Sequence, residues 1–275
     1  MNRENQYPRV LFITSAAFNS LTGGGITFQN LFHGWPKDRL ATITNDPVPV
    51  SKNVCEKYYF LCPQEIQQWG MSIRKRFHGS SDFRNFQVAA ERTPKSLTIL
   101  RAIKRVIWGD TLPDQAALSK ELVQWITEFQ PDVVYTILGS IGMMELIDHI
   151  VLQYQIPLVV HIMDDWPAAQ YRGGVFSIFL RRKMESLLNR LLHKATVRMG
   201  ICDFMSAEYE KKYGLPFVSF QNTIDAARWG ELSPNTKNGR EGEILLLYVG
   251  SIFPNAQLES LLLRLFWYPS GLCLL

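Results

Sequence analysis

Short β-branched runs alternate with segments of helical period along most of the chain, and this alternation limits the possible folds more than any other feature. The strand-like runs are Arg9–Thr14, Leu40–Thr44, Tyr58–Cys62, Asp132–Leu138, Leu158–Met163, Val197–Cys202, Phe217–Phe220 and Ile244–Val249. Several are almost wholly apolar, as strands covered on both faces of a parallel sheet must be. Helical patterns fall between them at Ile26–Trp35, Ala116–Phe129, Met143–Tyr154, Phe176–Ala195 and Phe204–Tyr213. Strand and helix in alternation predict an α/β fold, a Rossmann-like, doubly wound and mostly parallel sheet with its ligands at the carboxyl ends of the strands.

The 275 residues exceed one ordinary domain and fall short of two, at about 100–200 residues per domain. A composition of 47% hydrophobic and 20% charged residues supplies a sizeable core, and 18 Gly with 14 Pro are too few for a fibrous or low-complexity chain. The pattern blurs before Asp114, around Gly79-Ser80-Ser81, which reads as an insertion. Asp225 to Gly242, rich in Asn, Gly, Ser and charge, reads as a linker. The expected organisation is a first domain over 1–225, a linker over 226–243, and the start of a second Rossmann-like domain over 244–275.

The formal charge of +4 is unevenly spread. Met71 to Gly109 holds nine Lys/Arg against Asp82 and Glu91, and Arg172 to Arg198 holds seven against Glu185. Such stretches either attract phosphate-rich partners or form solvated helix faces. Cys55, Cys62, Cys202 and Cys273 lack any paired C-x-x-C spacing, which fits a reduced, cytoplasmic chain. No run of about 18 apolar residues is present to span a bilayer, and Val10–Ile13 is too short for a signal peptide.

Four segments carry candidate chemistry. Gly23-Gly24-Gly25 follows the first strand and opens a helix, where backbone N–H groups can approach a phosphate or simply make a turn. The glycines start too far from Thr14, and Phe28 is too bulky, for a dinucleotide fingerprint; no P-loop Lys follows. His161, with Asp164 and Asp165 after it, stands at the carboxyl end of a strand, where a His can hydrogen-bond a substrate hydroxyl and carboxylates can hold a sugar. The same His can equally be a core residue satisfied by a backbone group, and a metal site there lacks a third ligand. Ser140, in Leu138-Gly139-Ser140-Ile141-Gly142, resembles a nucleophile elbow without its first Gly; a turn lining the substrate fits it better. Asn222 and Asp225 follow the strand Phe217–Phe220 and either shape a turn or face the cleft.

Taken together, these residues resemble the family 4 glycosyltransferases over about Arg9 to Leu261, in order and spacing. Gly23-Gly24-Gly25 is similar to the family's glycine-rich loop, and His161 with Asp164 and Asp165 to its cleft segment. Asn222 and Asp225 match its P-N-G-x-D turn, with Gln221 and Thr223 in place of Pro and Gly. The resemblance implies a GT-B fold of two Rossmann-like domains and retaining transfer of a sugar from a nucleotide sugar, without a metal or other cofactor. It implies a glycan or lipid-linked acceptor, as in polysaccharide biosynthesis, and no nucleic-acid partner. His161, Asp164 and Asp165 would be the catalytic residues, with His161 facing sugar and acceptor; the three glycines would contact the donor diphosphate, and Ser140, Asn222 and Asp225 the rest of the cleft. It also suggests a cytoplasmic protein peripheral to the inner face of a membrane, held to anionic lipid by the helix Phe176–Ala195. The apolar stripe of that helix reads equally as core.

The chain departs from the family after Gly250. No Arg or Lys occupies the diphosphate-binding position, and no Glu follows Glu259. A donor domain truncated soon after Gly250, with impaired transfer, is therefore the expectation. The alternatives are a non-catalytic glycan- or partner-binding half, a nucleotide-sugar epimerase of the same fold, and, most distantly, a nicotinamide-dependent enzyme.

Overall fold

A computed structural model describes residues 7–68, 105–109 and 111–222. The expected linker over 226–243, the second domain with its strand Ile244–Val249, Asp225 and most of the first basic stretch lie outside the described residues.

Seven strands form one all-parallel sheet: β1 (Val10–Thr14), β2 (Leu40–Thr44), β3 (Lys57–Phe60), β6 (Val133–Ile137), β7 (Leu158–Ile162), β8 (Val197–Gly200) and β9 (Val218–Ser219). Their order is β3-β2-β1-β6-β7-β8-β9, so the chain reverses its direction of travel between β1 and β6. The fold is a Rossmann-like, doubly wound α/β sheet. A separate two-stranded antiparallel pair, β4 (Ile66–Gln68) with β5 (Asp114–Ala116), was not expected from the sequence.

Residue alternation along the strands explains why the sheet is covered on both sides. Leu11 and Ile13 of β1, Ala41 and Ile43 of β2, and Val134 of β6 enter one core. Val10 and Phe12, Leu40, and Tyr135 of the same strands enter the other. The helix α1 (Gly23–Leu31) covers the second core through Phe28, which meets Phe12 edge-on with ring centroids 5.3 Å apart. The first core lies under α2 (Lys120–Phe129), α3 (Ile141–Tyr154) and α5 (Ser177–Lys194), with Tyr209 of α6 (Asp203–Tyr213) at its end.

Each helix has a visible local cause. In α2, Leu122, Ile126 and Phe129 recur on one face and are buried. The Ser119 hydroxyl caps its start, accepting from the Leu122 N–H at 3.0 Å. That hydroxyl also donates to buried Glu65, which accepts from the Tyr59 hydroxyl and the Cys62 N–H as well. One carboxylate thus ties β3, β4 and α2 together. These hydrogen bonds hold its pKa below the ordinary value, although burial alone, the largest single influence, would raise it.

In α5 the apolar stripe Leu180, Met184, Leu187, Leu188, Leu191 and Leu192 is buried. Each such side chain contributes roughly 1.5–3 kcal/mol relative to exposure. Of the stripe expected to serve as core or to meet a membrane, the part from Leu180 to Ala195 is core, whereas Phe176 and Phe179 are exposed. Along its length the polar side is tied to α3: Lys183 pairs with Glu145 at 2.7 Å, and Arg190 and Lys194 pair with Asp148 at 3.0 and 2.6 Å.

Candidate functional site at the carboxyl edge of the sheet

The turns after β1, β6, β7 and β8 carry the candidate residues to one edge of the sheet. After β1 the loop is organised by Asn19, which is 1% exposed. Its Oδ1 accepts from the Leu21 N–H, the Thr22 N–H and the Thr22 hydroxyl, and its Nδ2 donates to the Ala17 carbonyl. Asp46, just beyond β2, accepts from the Ala17 N–H at 2.8 Å and braces the same loop. Thr22 then caps α1, its hydroxyl accepting from the Gly25 N–H at 3.1 Å.

The three glycines play different parts here. A Cβ on Gly25 would lie 2.4 Å from the Asn19 side chain, so its absence is a packing requirement. One on Gly23 would meet nothing within 4 Å, and one on Gly24 only ordinary contacts. Both face solvent at the positive end of the helix, and their N–H groups have no protein acceptor among the described residues.

At the next turn Ser140 is a cap. It accepts from the Met143 N–H at 3.2 Å and donates to the Asp114 carboxylate. Asp114 also accepts from the Gly142 N–H at 2.7 Å, and the buried Tyr171 hydroxyl accepts from the Ile141 N–H at 3.0 Å. A Cβ on Gly142 would fall 2.7 Å from the Asp114 carboxyl carbon. The amino end of α3, a place suited to an external anion, is therefore filled by the chain's own carboxylate. Burial pushes the pKa of Asp114 up, against these hydrogen bonds. The Ser140 hydroxyl is thus engaged by the cap and by Asp114, and the turn expected to line the substrate is a half-buried helix cap.

His161 faces the α1 side of the sheet and is 0% exposed. The Tyr135 hydroxyl lies 2.5 Å from its Nδ1, and the Phe220 carbonyl lies 3.1 Å from its Nε2. A carbonyl can only accept, so Nε2 carries the proton and Nδ1 accepts from the tyrosine. Burial depresses the ring's pKa to about 4, partly opposed by the Phe220 carbonyl. The neutral ring has both nitrogens engaged and no surface through which to touch a sugar within the described residues. Instead it links β6, β7 and the residue that follows β9.

Asp164 and Asp165 remain at the edge, both exposed. Asp165 precedes the one-turn helix α4 (Trp166–Ala169) and accepts from the Tyr209 hydroxyl at 3.0 Å. It lines a groove of about 780 Å³ with Arg181, Cys202, Phe204, Glu208 and Tyr209. Phe204 is 87% exposed at its rim. Asn222 is exposed beyond β9. The structure thus brings Asp165 to a groove, leaves Asp164 exposed next to it in the chain and Gly23 and Gly24 at an open helix end on the same edge, encloses His161, and engages the half-buried Ser140 in a helix cap.

Sequence reasoning missed Asn19, Asp46, Asp114 and the groove residues Phe204 and Glu208. Asn19, three residues before the cap Thr22, had the only local signal, that of an Asx turn. Among the described residues, no three His, Cys, Asp or Glu side chains stand together as a metal site, and Cys55, Cys62 and Cys202 are free. Nor does any helix there have the length and apolarity to cross a membrane. No family model matches the chain, and no curated protein is significantly similar to it.

Proposed function

We propose that this chain carries the acceptor-side domain of a retaining GT-B glycosyltransferase. The observation that carries the proposal is the groove at the carboxyl edge, where Asp165 and Glu208 stand beside the exposed ring of Phe204. Carboxylates that accept from sugar hydroxyls, together with an aromatic face against the ring's C–H surface, suit a glycan. Exposed carboxylates at the end of a parallel strand are where an α/β sheet places its ligand-contacting groups. Two strands away, the open N–H groups of Gly23 and Gly24 have the polarity to stabilise the departing diphosphate of a nucleotide sugar. In the transfer, the bond from the anomeric carbon to the diphosphate oxygen breaks, and one to the acceptor hydroxyl oxygen forms on the same face. The nucleoside diphosphate leaves, and its freed phosphate oxygen takes up the proton of the acceptor hydroxyl.

The test is transfer of labelled sugar from UDP-glucose, UDP-N-acetylglucosamine or GDP-mannose to glycan or polyprenyl-phosphate acceptors. Transfer that falls at least 10-fold in Asp165→Asn and Phe204→Ala supports the proposal. Transfer unaffected by both refutes the assignment of the groove.

A second function has an observation of its own. The imidazole of His161 is enclosed and cannot face the sugar, which favours a non-catalytic glycan-binding half. Saturable glycan binding, lost in Phe204→Ala, without transfer from any donor would establish that alternative.

A further inference from the structure

The buried stripe of α5 leaves two aromatic rings outside the core, at the start of the helix. Phe176 and Phe179 are 46 and 61% exposed, and Trp108, from a distant part of the chain, stacks on Phe176 with ring centroids 5.0 Å apart. The segments that carry these rings interlock backbone to backbone. The Val175 N–H donates to the Val106 carbonyl and the Phe176 N–H to the Ile107 carbonyl. A Cβ on Gly109 would fall 2.3 Å from the Arg172 carbonyl oxygen, and one on Gly174 would fall 2.3 Å from the Gly109 nitrogen, so the approach requires glycine on both segments. The three rings line a cavity of about 470 Å³ together with Pro113, Ile141 and Leu180. Asp114 and Lys183 complete its lining among the described residues. Mostly apolar walls with a few polar groups, around a volume of this size, are the features of a small-molecule site.

The charge in the lining selects an occupant. Lys183 pairs with Glu145 at 2.7 Å, so its charge is already matched. Asp114 is 6% exposed and accepts from two neutral groups, the Ser140 hydroxyl and the Gly142 N–H. No Lys, Arg or His pairs with it among the described residues. Each of its oxygens keeps a lone pair for a further donor. An ammonium group supplies the counter-charge that such a carboxylate lacks, and aromatic faces beside it attract the same charge. A neutral molecule gains neither interaction, and an anion meets repulsion. We infer that this cavity is a binding site for a hydrophobic organic cation, its ammonium group at Asp114 and its apolar body among Trp108, Phe176 and Phe179. The site shares no lining residue with the groove at Asp165, so its occupancy can be measured whether or not sugar transfer is found.

The experiment is isothermal titration calorimetry of the full chain with three indoles that share a ring and differ in charge: tryptamine, a cation; tryptophol, neutral; and indole-3-acetate, an anion. Tryptamine should bind saturably and about 10-fold more tightly than tryptophol, with indole-3-acetate weaker still. Phe179→Ala, at an exposed position, should weaken tryptamine about 5-fold, whereas Phe204→Ala, in the groove, should leave it unchanged. Asp114→Asn, checked for folding by its urea midpoint, should bring tryptamine and tryptophol within a factor of about 2 of each other. Absence of saturable tryptamine binding overturns the inference, as do equal affinities for tryptamine and tryptophol in the unaltered protein. Binding undiminished in Phe179→Ala, or lost in Phe204→Ala, places the ligand elsewhere and overturns it as well. Sedimentation of the unliganded chain as a dimer that Phe179→Ala dissociates makes the cavity a contact between copies and overturns it equally.

Discussion

Replacing His161 with Gln separates a packing role from a chemical one. The ring is neutral in the fold, with its pKa depressed from the ordinary 6.5 to about 4. The unfolded chain therefore binds a proton in this interval that the native protein refuses, and stability falls with pH between those two values. At about 1.4 kcal/mol per pH unit the stability attributable to this one ring's neutrality is about 3 kcal/mol, present in full above 6.5 and lost by about 4 as the pH falls. Gln keeps an N–H donor for the Phe220 carbonyl but cannot titrate. At neutral pH the variant should lose roughly 1–3 kcal/mol, because the Tyr135 hydroxyl and the ring's packing are imperfectly replaced. Its stability should then depend less on pH than that of the unaltered protein, by the same 3 kcal/mol. Urea unfolding at neutral pH and near pH 4 measures both quantities, and carboxylates common to the two proteins cancel in the difference. Parallel loss of stability in both proteins would refute the reasoning, as would an NMR titration placing the ring near 6.5.

Three other outcomes follow from the same edge. Gly25→Ala should destabilise by about 1–3 kcal/mol in thermal unfolding, by driving a Cβ into Asn19, whereas Gly23→Ala should be neutral or slightly stabilising. Asp114→Asn should cost about 1–3 kcal/mol and Ser140→Ala about 1 kcal/mol in urea unfolding, with the double substitution costing less than their sum because both act on one helix end. Ser140→Ala should also leave any sugar transfer within a factor of about 2, since the hydroxyl is a cap. Asp164→Asn, at an exposed position, should leave the melting temperature unchanged while weakening glycan binding in calorimetry.

The sheet was legible because its strands are apolar on both faces. Leu40–Thr44 has the expected bounds, and Val10–Thr14 and Leu158–Ile162 differ from theirs by one residue at one end. The pair Ile66–Gln68 with Asp114–Ala116 was not legible, since three-residue polar strands far apart in sequence leave neither alternation nor a turn signal. At α1 the helical pattern begins at Ile26, whereas the Thr22 cap starts the helix at Gly23, a residue of low helix propensity. Site chemistry was harder to read for a related reason. His161 and Asp165 stand near the same strand end, yet one points into the sheet and the other into a groove. The partners that decide this, Tyr135, Phe220 and Tyr209, lie 26, 59 and 44 residues away.

The central place of β1 has a consequence for synthesis. One side of Val10–Thr14 is paired as soon as Leu40–Thr44 emerges, but its other partner ends at Ile137, 93 residues after Thr44. At about 5–20 residues per second, the ribosome leaves that apolar strand with an open edge for roughly 5–20 s. Every nascent copy passes through an interval in which this apolar strand can be captured by another chain, so yield on expression should depend on chaperone supply and on translation speed across residues 45–132.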